Sequence, residues 1–338
     1  MLKFSSGGKV SLSNSNNQHL RVSVRCNDSG GSSRRSTLIG GLLMGVPTIT
    51  APLVAYADEP KYNVRYVPVK DLGSFQKSSQ RATFQKRAET VLLKYVDASD
   101  ASMCVHLALL DAGSYDIVTK TGGAAGAIIL DPRSAVPSSL KSVIEKLKKA
   151  KDEIDNGDVD KAGSISWADL IYLAGKVTTQ AGWRAVKAVR APSIVDQLLN
   201  PWDVVLGRQD SDMLGPNKVP LEDATVQEVT AYFAALGAKP GNGSGLGPFS
   251  PKPPFWEKPA FLIWTAASRD PSAEEAKLEA YSQVYADIKK QYDRSRDTVS
   301  RTDYEVDFAQ AYNKLTGLGA RISKTAYLHP EAILATKL

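Results

Sequence analysis

Residues 58–338 are predicted to form an all-α domain, on three observations. Apolar residues recur at helical spacing in successive stretches between residues 78 and 316. One of them, 103–110, is almost wholly apolar, as a helix at the centre of a core must be. Capping residues and glycines stand at the ends of such stretches, where helices start and stop. The composition, 43% apolar and 23% charged over 338 residues, excludes wholesale disorder, a collagen-like repeat and a multi-span membrane protein.

In chain order, the first helix is expected over 78–96, with Phe84, Ala88, Val91, Leu92 and Tyr95 on one face. The apolar run 103–110 is the central helix. From Ser139 to Ile154, Leu140, Val143, Ile144, Leu147 and Ile154 share a face, while Lys141, Lys148, Lys149 and Lys151 lie elsewhere and read as a solvated surface. Ser166-Trp167-Ala168-Asp169 has capping-box spacing: Ser166 would accept an early backbone N–H and Asp169 would sit at the positive helix terminus. A helix to about Ala181 follows. Residues 221–236 and 272–294 read as further helices. The last spans 302–316, with Val306, Ala309 and Leu315 inward and Gly317 or Gly319 closing it. Between them, 237–259 holds six prolines and glycines at 237, 241, 243, 245 and 247, too many missing donors for a helix. It is expected to be a linker or an irregular loop, the latter pinned by Phe249, Phe255 and Trp256.

The formal charge of +6 is concentrated at the start of the chain. Residues 1–57 hold six basic residues against Asp28, which leaves 36 basic and 35 acidic residues for 58–338. So neutral a body gives no support to nucleic-acid binding. Residues 1–33 are rich in Ser, Asn and Gly and carry no acid before Asp28, the composition of an organelle transit peptide. Arg34-Arg35 then precede an apolar run that ends at Ala55-Tyr56-Ala57, an A-x-A cleavage pattern. Pro47, Pro52 and the glycines at 40, 41 and 45 interrupt the run, whereas a spanning helix needs about 20 apolar residues. A transit peptide (1–33) followed by a twin-arginine signal (34–57) is similar to the two-stage targeting of plant proteins to the thylakoid lumen of the chloroplast. Cleavage is expected between Ala57 and Asp58, and the mature chain is expected to be soluble or peripheral to the lumenal membrane face. Cys26 would leave with the transit peptide, so Cys104 stays alone and no intramolecular disulfide is expected.

Motifs with chemistry are sparse. Asp152, Asp155, Asn156, Gly157, Asp158 and Asp160 faintly suggest a calcium loop, but register on Gly157 puts Ile154 and Gly163 at ligand positions, and an acidic turn is the simpler reading. Thr121-Gly122-Gly123-Ala124-Ala125-Gly126 lacks the strand–glycine–helix setting of a phosphate loop, and Gly175-Lys176-Val177 lacks the flanking residues of another. The mature chain has two histidines, His106 and His329. On a helix, Cys104 and His106 point about 200° apart, which forbids a Cys–His nucleophilic pair, and no spacing supports a zinc site. His106 reads as a core histidine, and no metal site is expected.

Several segments taken together resemble the class I haem peroxidases, ascorbate peroxidase in particular. Ala101 to Leu110 followed by Asp111-Ala112-Gly113-Ser114-Tyr115-Asp116 resembles that family's distal helix and its A-G-T-Y-D ending, and the glycines of 121–126 resemble the stretch that follows. Ile165-Ser166-Trp167-Ala168-Asp169-Leu170 with Leu173-Ala174-Gly175 resembles its I-S-F-A-D-L helix. Gly207-Arg208-Gln209-Asp210 resembles its G-R-x-D, and Asp307 to Leu315 with Leu318-Gly319 its last helix. The likeness covers most of 75–320 in the right order. It implies a class I haem-peroxidase-like helical fold in which the Pro/Gly-rich segment replaces the helix that carries the proximal histidine.

The same resemblance implies a dismantled active site. The family's distal arginine, tryptophan and histidine fall on His106, Leu109 and Leu110, and leucine cannot move a proton. No histidine lies between His106 and His329 to serve as proximal ligand. The proximal aspartate falls on Ala276, and the ascorbate-contacting lysine and cysteine fall on Ala98 and Asp100. No catalytic residue, no cofactor-binding residue and no cofactor are therefore expected, and the chain reads as a pseudoenzyme. Its implied role is binding: to photosystem II or other thylakoid membrane proteins, or to a small ligand in the vacated cleft. The lysine-bearing helix 139–154 and the aromatic residues of 249–256 are the candidate contact surfaces, unless they are merely a solvated face and an anchored loop. The cleft itself is expected to have collapsed, since close packing disfavours empty volume. The alternative is an ascorbate-type peroxidase that holds haem b by unconventional ligation. Intact-mass analysis of the protein from isolated thylakoids should find Asp58 at the N-terminus; retention of 34–57 would overturn the processing scheme.

Overall fold

The computed structural model describes residues 63–158, 161–193, 195, 202–216, 218–236, 257–300 and 302–335. The targeting segments, the Ala57–Asp58 junction and residues 237–256 lie outside the described residues.

The chain begins with strand β1 (Asn63–Val67), followed by helices α1 (Ser74–Tyr95), α2 (Ala101–Ala112), a single turn α3 (Ala127–Leu130), α4 (Lys141–Asn156) and α5 (Trp167–Arg190). Next come α6 (Val226–Leu236), a composite helix α7 over 257–267, α8 (Pro271–Tyr281), α9 (Gln283–Asp297), α10 (Asp303–Leu315) and strand β2 (Glu331–Ala335). Helix α2 lies at the centre, against α5 and α7, while α1 packs on α4 and α5, and α9 on α8 and α10. Its sequence requires that place. Cys104, Val105, Leu107, Ala108 and Leu109 are all buried, and each large apolar side chain so placed stabilises the fold by about 1.5–3 kcal/mol. No described helix is long and apolar enough to cross a membrane.

The helical class holds, with one strand pair added and three expectations corrected. The addition is β1 and β2, which form an antiparallel pair, Val64 opposite Leu334 and Tyr66 opposite Ala332. Each run is five residues long and its partner lies at the other end of the chain, so no local periodicity announces it. The expected helix 272–294 is two helices, because Ser282 adopts an extended backbone and its hydroxyl caps α9 by accepting from the Tyr285 N–H. Residues 221–225 precede α6 rather than belong to it. Finally, 257–259 is helical and runs into a π-helical turn, Ala260–Trp264, whose five residues are all buried. Pro259 is tolerated because it sits in the first turn, where no intrahelical donor is needed.

Ser166 does cap α5, its hydroxyl accepting from the Asp169 N–H at 3.1 Å. Asp169, however, serves the tertiary structure. Wholly buried, it accepts from the Gly207 N–H at 2.6 Å, the Arg208 N–H at 3.1 Å, the Arg208 guanidinium at 3.0 Å and the Tyr327 hydroxyl at 2.8 Å. Arg208 in turn donates to Thr316 O at 2.9 Å and lies 4.1 Å over the Tyr172 ring. Two residues on, Asp210 accepts from the Trp167 and Ala168 N–H groups at the start of α5. The segment 207–210 and α5 are thus clamped from both sides. Gly207 has φ +107°, and a Cβ there would stand 2.8 Å from Ser323 O, so only glycine fits the turn that delivers Arg208.

The other polar motifs are also used structurally. Asp155 pairs with Lys151 and accepts from the Ile165 N–H, while Asp158 pairs with Arg87. Lys176 forms an ion pair with Glu89 at 2.7 Å, its side chain 7% exposed. Gly123 has φ +101° and brings the 121–126 turn against Leu318 O, to which Ala124 donates. Lys151 is not on the solvated face expected of it, since it also donates to Ile165 O. Because breaking a buried ion pair leaves an uncompensated charge, Asp169→Asn should lower the unfolding free energy by about 3–5 kcal/mol, read as a lower urea midpoint. Urea unfolding that matches wild type would show that the clamp is dispensable.

Candidate functional site

The residues singled out on α2 point to different surroundings. Leu109 is buried in the core, which α7 joins through Phe261, Leu262, Ile263 and Trp264. Leu110 is half-buried and lines a cavity of about 210 Å³ with His106, Val219 and Leu214. His106, its side chain 13% exposed, lines that cavity and a second one of about 230 Å³ bounded by Trp264, Arg269 and Glu274. Cys104 points the other way into the core, and burial pushes its thiol up to about 12. The expected opposition of Cys104 and His106 is therefore seen, and the thiol stays protonated at neutral pH.

His106 has polar company that its own helix does not supply. Glu222 approaches it from the 218–224 segment, Oε1 lying 4.0 Å from Nδ1. The same carboxylate meets Arg269 Nε at 3.5 Å and accepts from the Ser139 hydroxyl at 3.4 Å. One exposed carboxylate thus joins α2, the turn before α4 and the α7–α8 junction. Burial holds the imidazole below its ordinary range, Glu222 opposes that shift, and Arg269 adds to it. The neutral ring is suited to a hydrogen bond and lies beside an apolar wall. Sequence reading missed Glu222 and Arg269 because they sit in unpatterned segments and meet His106 only through the fold.

Other expectations are placed as follows. Ala276 is exposed on α8, so it does not face a buried cleft. Asp100 is buried and paired with Lys146 at 2.7 Å. His329 lines a separate cavity of about 280 Å³ against α1, with Gln80 accepting from its backbone N–H. Among the described residues, no group of three or more His, Cys, Asp or Glu side chains is placed to hold a metal ion. Leu109 is fully buried, while beside Leu110 and His106 the two small cavities are open.

A helical fold with this distal segment and clamp defines a peroxidase-type protein, and the comparisons agree. The family model described as peroxidase matches residues 77–240. The chain is 32% identical over 296 residues to the thylakoid lumenal 29 kDa protein, chloroplastic, of Solanum lycopersicum, which covers 81% of this chain and 79% of the relative. It is 33% identical over 279 residues to the protein of the same name from Arabidopsis thaliana, covering 77% of this chain and 74% of the relative. A crystal structure of the TL29 protein from Arabidopsis thaliana superposes with a TM-score of 0.60 at 30% identity, covering 75% of this chain and 99% of that one. The chain belongs to the peroxidase family, as an ascorbate-peroxidase-like member similar to the thylakoid lumenal 29 kDa proteins. It is a chloroplast protein of the thylakoid lumen.

If Leu109 is core and Leu110 a cavity wall, truncation should separate them. Leu109→Ala should cost about 2–5 kcal/mol of stability and Leu110→Ala clearly less, both measured by urea unfolding. Equal, small losses would mean that Leu109 faces open space.

Proposed function

We propose that this lumenal protein binds rather than catalyses: it keeps the peroxidase scaffold without haem and serves as an auxiliary protein at photosystem II or the thylakoid membrane. The observation that carries the reading is the apolar pair on α2. Peroxide heterolysis needs a distal group that takes and returns a proton, and the position implied for it holds Leu110. Beside it Leu109 is buried in the core. The cavities that reach His106, about 230 and 210 Å³, are smaller than the roughly 300 Å³ at which small-molecule sites begin.

The donors available for iron support the same reading. Haem iron takes imidazole, thiolate, thioether or phenolate. No histidine occurs between His106 and His329, and the Cys104 thiol is buried and held protonated. Neither an imidazole at the position the family uses for its proximal ligand nor a thiolate is therefore offered to the group. For targeting, the reading keeps 1–33 as transit peptide and 34–57 as twin-arginine signal, with the working chain starting at Asp58.

Two measurements test the proposal. Titration of residues 58–338 with haemin should give no saturable Soret shift at equimolar ratio, and peroxide with ascorbate should not be consumed above the rate of free haemin. A stoichiometric shift lost in His106→Ala would instead establish haem ligation by His106 and restore the peroxidase reading. Photosystem II membranes opened to the lumenal side should retain the added protein in a saturable, salt-sensitive manner, and absence of retention would remove the auxiliary role.

A further inference from the structure

A cavity of about 790 Å³, larger than either cavity beside His106, opens between α6, the turn at 115–118 and the 218–224 segment. From α6 it takes Ala231 and Ala235, two small and exposed side chains one turn apart, with Tyr232 and Leu236 buried beside them. A groove floored in this way admits a large side chain from outside. Two apolar residues of its lining are turned to solvent: Val118 is 70% exposed and Leu221 73%. Exposed apolar side chains gathered at a concave site mark a contact surface.

Charge says what kind of contact. The lining carries Asp116, Asp223 and Glu228 against Lys218, and Lys218 is already paired with Asp116. Asp223 and Glu228 give the rim a net negative field, which repels an anionic lipid surface and attracts a basic partner. The lysine-bearing helix α4 is a weaker candidate than its sequence suggests. Lys146, Lys148 and Lys151 are committed to Asp100, Glu145 and Asp155.

We propose that this groove docks a protein partner, which inserts an apolar side chain between Val118, Leu221 and α6 and presents lysine or arginine to Asp223 and Glu228. The proposal rests on the binding role argued above and assigns it a surface. The apolar insertion holds the complex, and the acidic rim sets its orientation and rate of formation.

The test uses residues 58–338 and photosystem II membranes opened to the lumenal side, with sedimentation read at graded salt. Val118→Ser with Leu221→Ser should weaken binding by at least about tenfold, with the salt dependence kept. Asp223→Lys should weaken it by about three- to tenfold and flatten the salt dependence. Lys141→Glu with Lys149→Glu should bind as wild type. All these side chains are on the surface, and thermal unfolding of each variant checks that the fold is kept. Binding by the wild type that both groove variants share would overturn the groove while leaving the auxiliary role standing. No binding by the wild type would overturn both. Equal binding to protein-free vesicles of galactolipid and anionic phospholipid would make the occupant a membrane and overturn the proposal. Hydroxyl-radical footprinting of the free protein should label Val118 and Leu221 and lose that labelling on the membranes. Two residues unlabelled in the free protein would mean that the groove is already covered, and would likewise overturn it.

Discussion

The fold depends on a charge that water never reaches. The Asp169 carboxylate, on the first turn of α5, is held by the guanidinium and backbone of Arg208, the Gly207 N–H and the Tyr327 hydroxyl. Taking both charges out of water is expensive, and the pair is tolerable only because the surrounding donors and acceptors are supplied. That requirement propagates outward. Gly207 must adopt positive φ to aim Arg208, Thr316 must offer its carbonyl, and Asp210 must turn back onto the first N–H groups of α5. The long helix, the segment before α6, the end of α10 and the C-terminal residues are thereby fixed to one another.

Around that frame, α2 serves as a packing element. An ordinary catalytic helix must hold polar side chains towards a cleft and accept the cost of leaving space there. Here Leu109 joins the core, and α7 packs on α2 with Phe261, Leu262, Ile263 and Trp264. Towards the two small cavities α2 presents His106, kept neutral by burial beside Glu222 and Arg269, while its buried Asp111 accepts from the Gly126 and Ile128 N–H groups. The aromatic cluster of Trp183, Trp202, Tyr304, Phe308 and Tyr312, with ring centroids 5.5–6.1 Å apart in the contacting pairs, closes the other side of the core without contribution from the cleft. The buried ion pair and the aromatic packing that hold the fold do not include His106, Leu109 or Leu110.

Much of this was legible in the sequence. The apolar run 103–110, the cap at Ser166 and the helix over 302–316 are local patterns whose meaning the backbone alone supplies, and each appears as expected, although the buried face of the last is Phe308, Ala311, Tyr312 and Leu315, with Val306 and Ala309 only half-buried. Leucine at 109 and 110 excludes proton transfer wherever those side chains point. Tertiary structure decided the rest. Whether Leu109 or Leu110 is core depends on what α7 brings against α2. The β1–β2 pairing joins the two ends of the chain, the break at Ser282 depends on the α8–α9 packing, and the meeting of His106 with Glu222 and Arg269 joins three segments far apart in sequence. The groove over α6 has the same origin. Ala231, Val118, Leu221 and Asp223 carry no motif, and their juxtaposition arises only when non-local packing brings three segments side by side, a step that no local periodicity encodes.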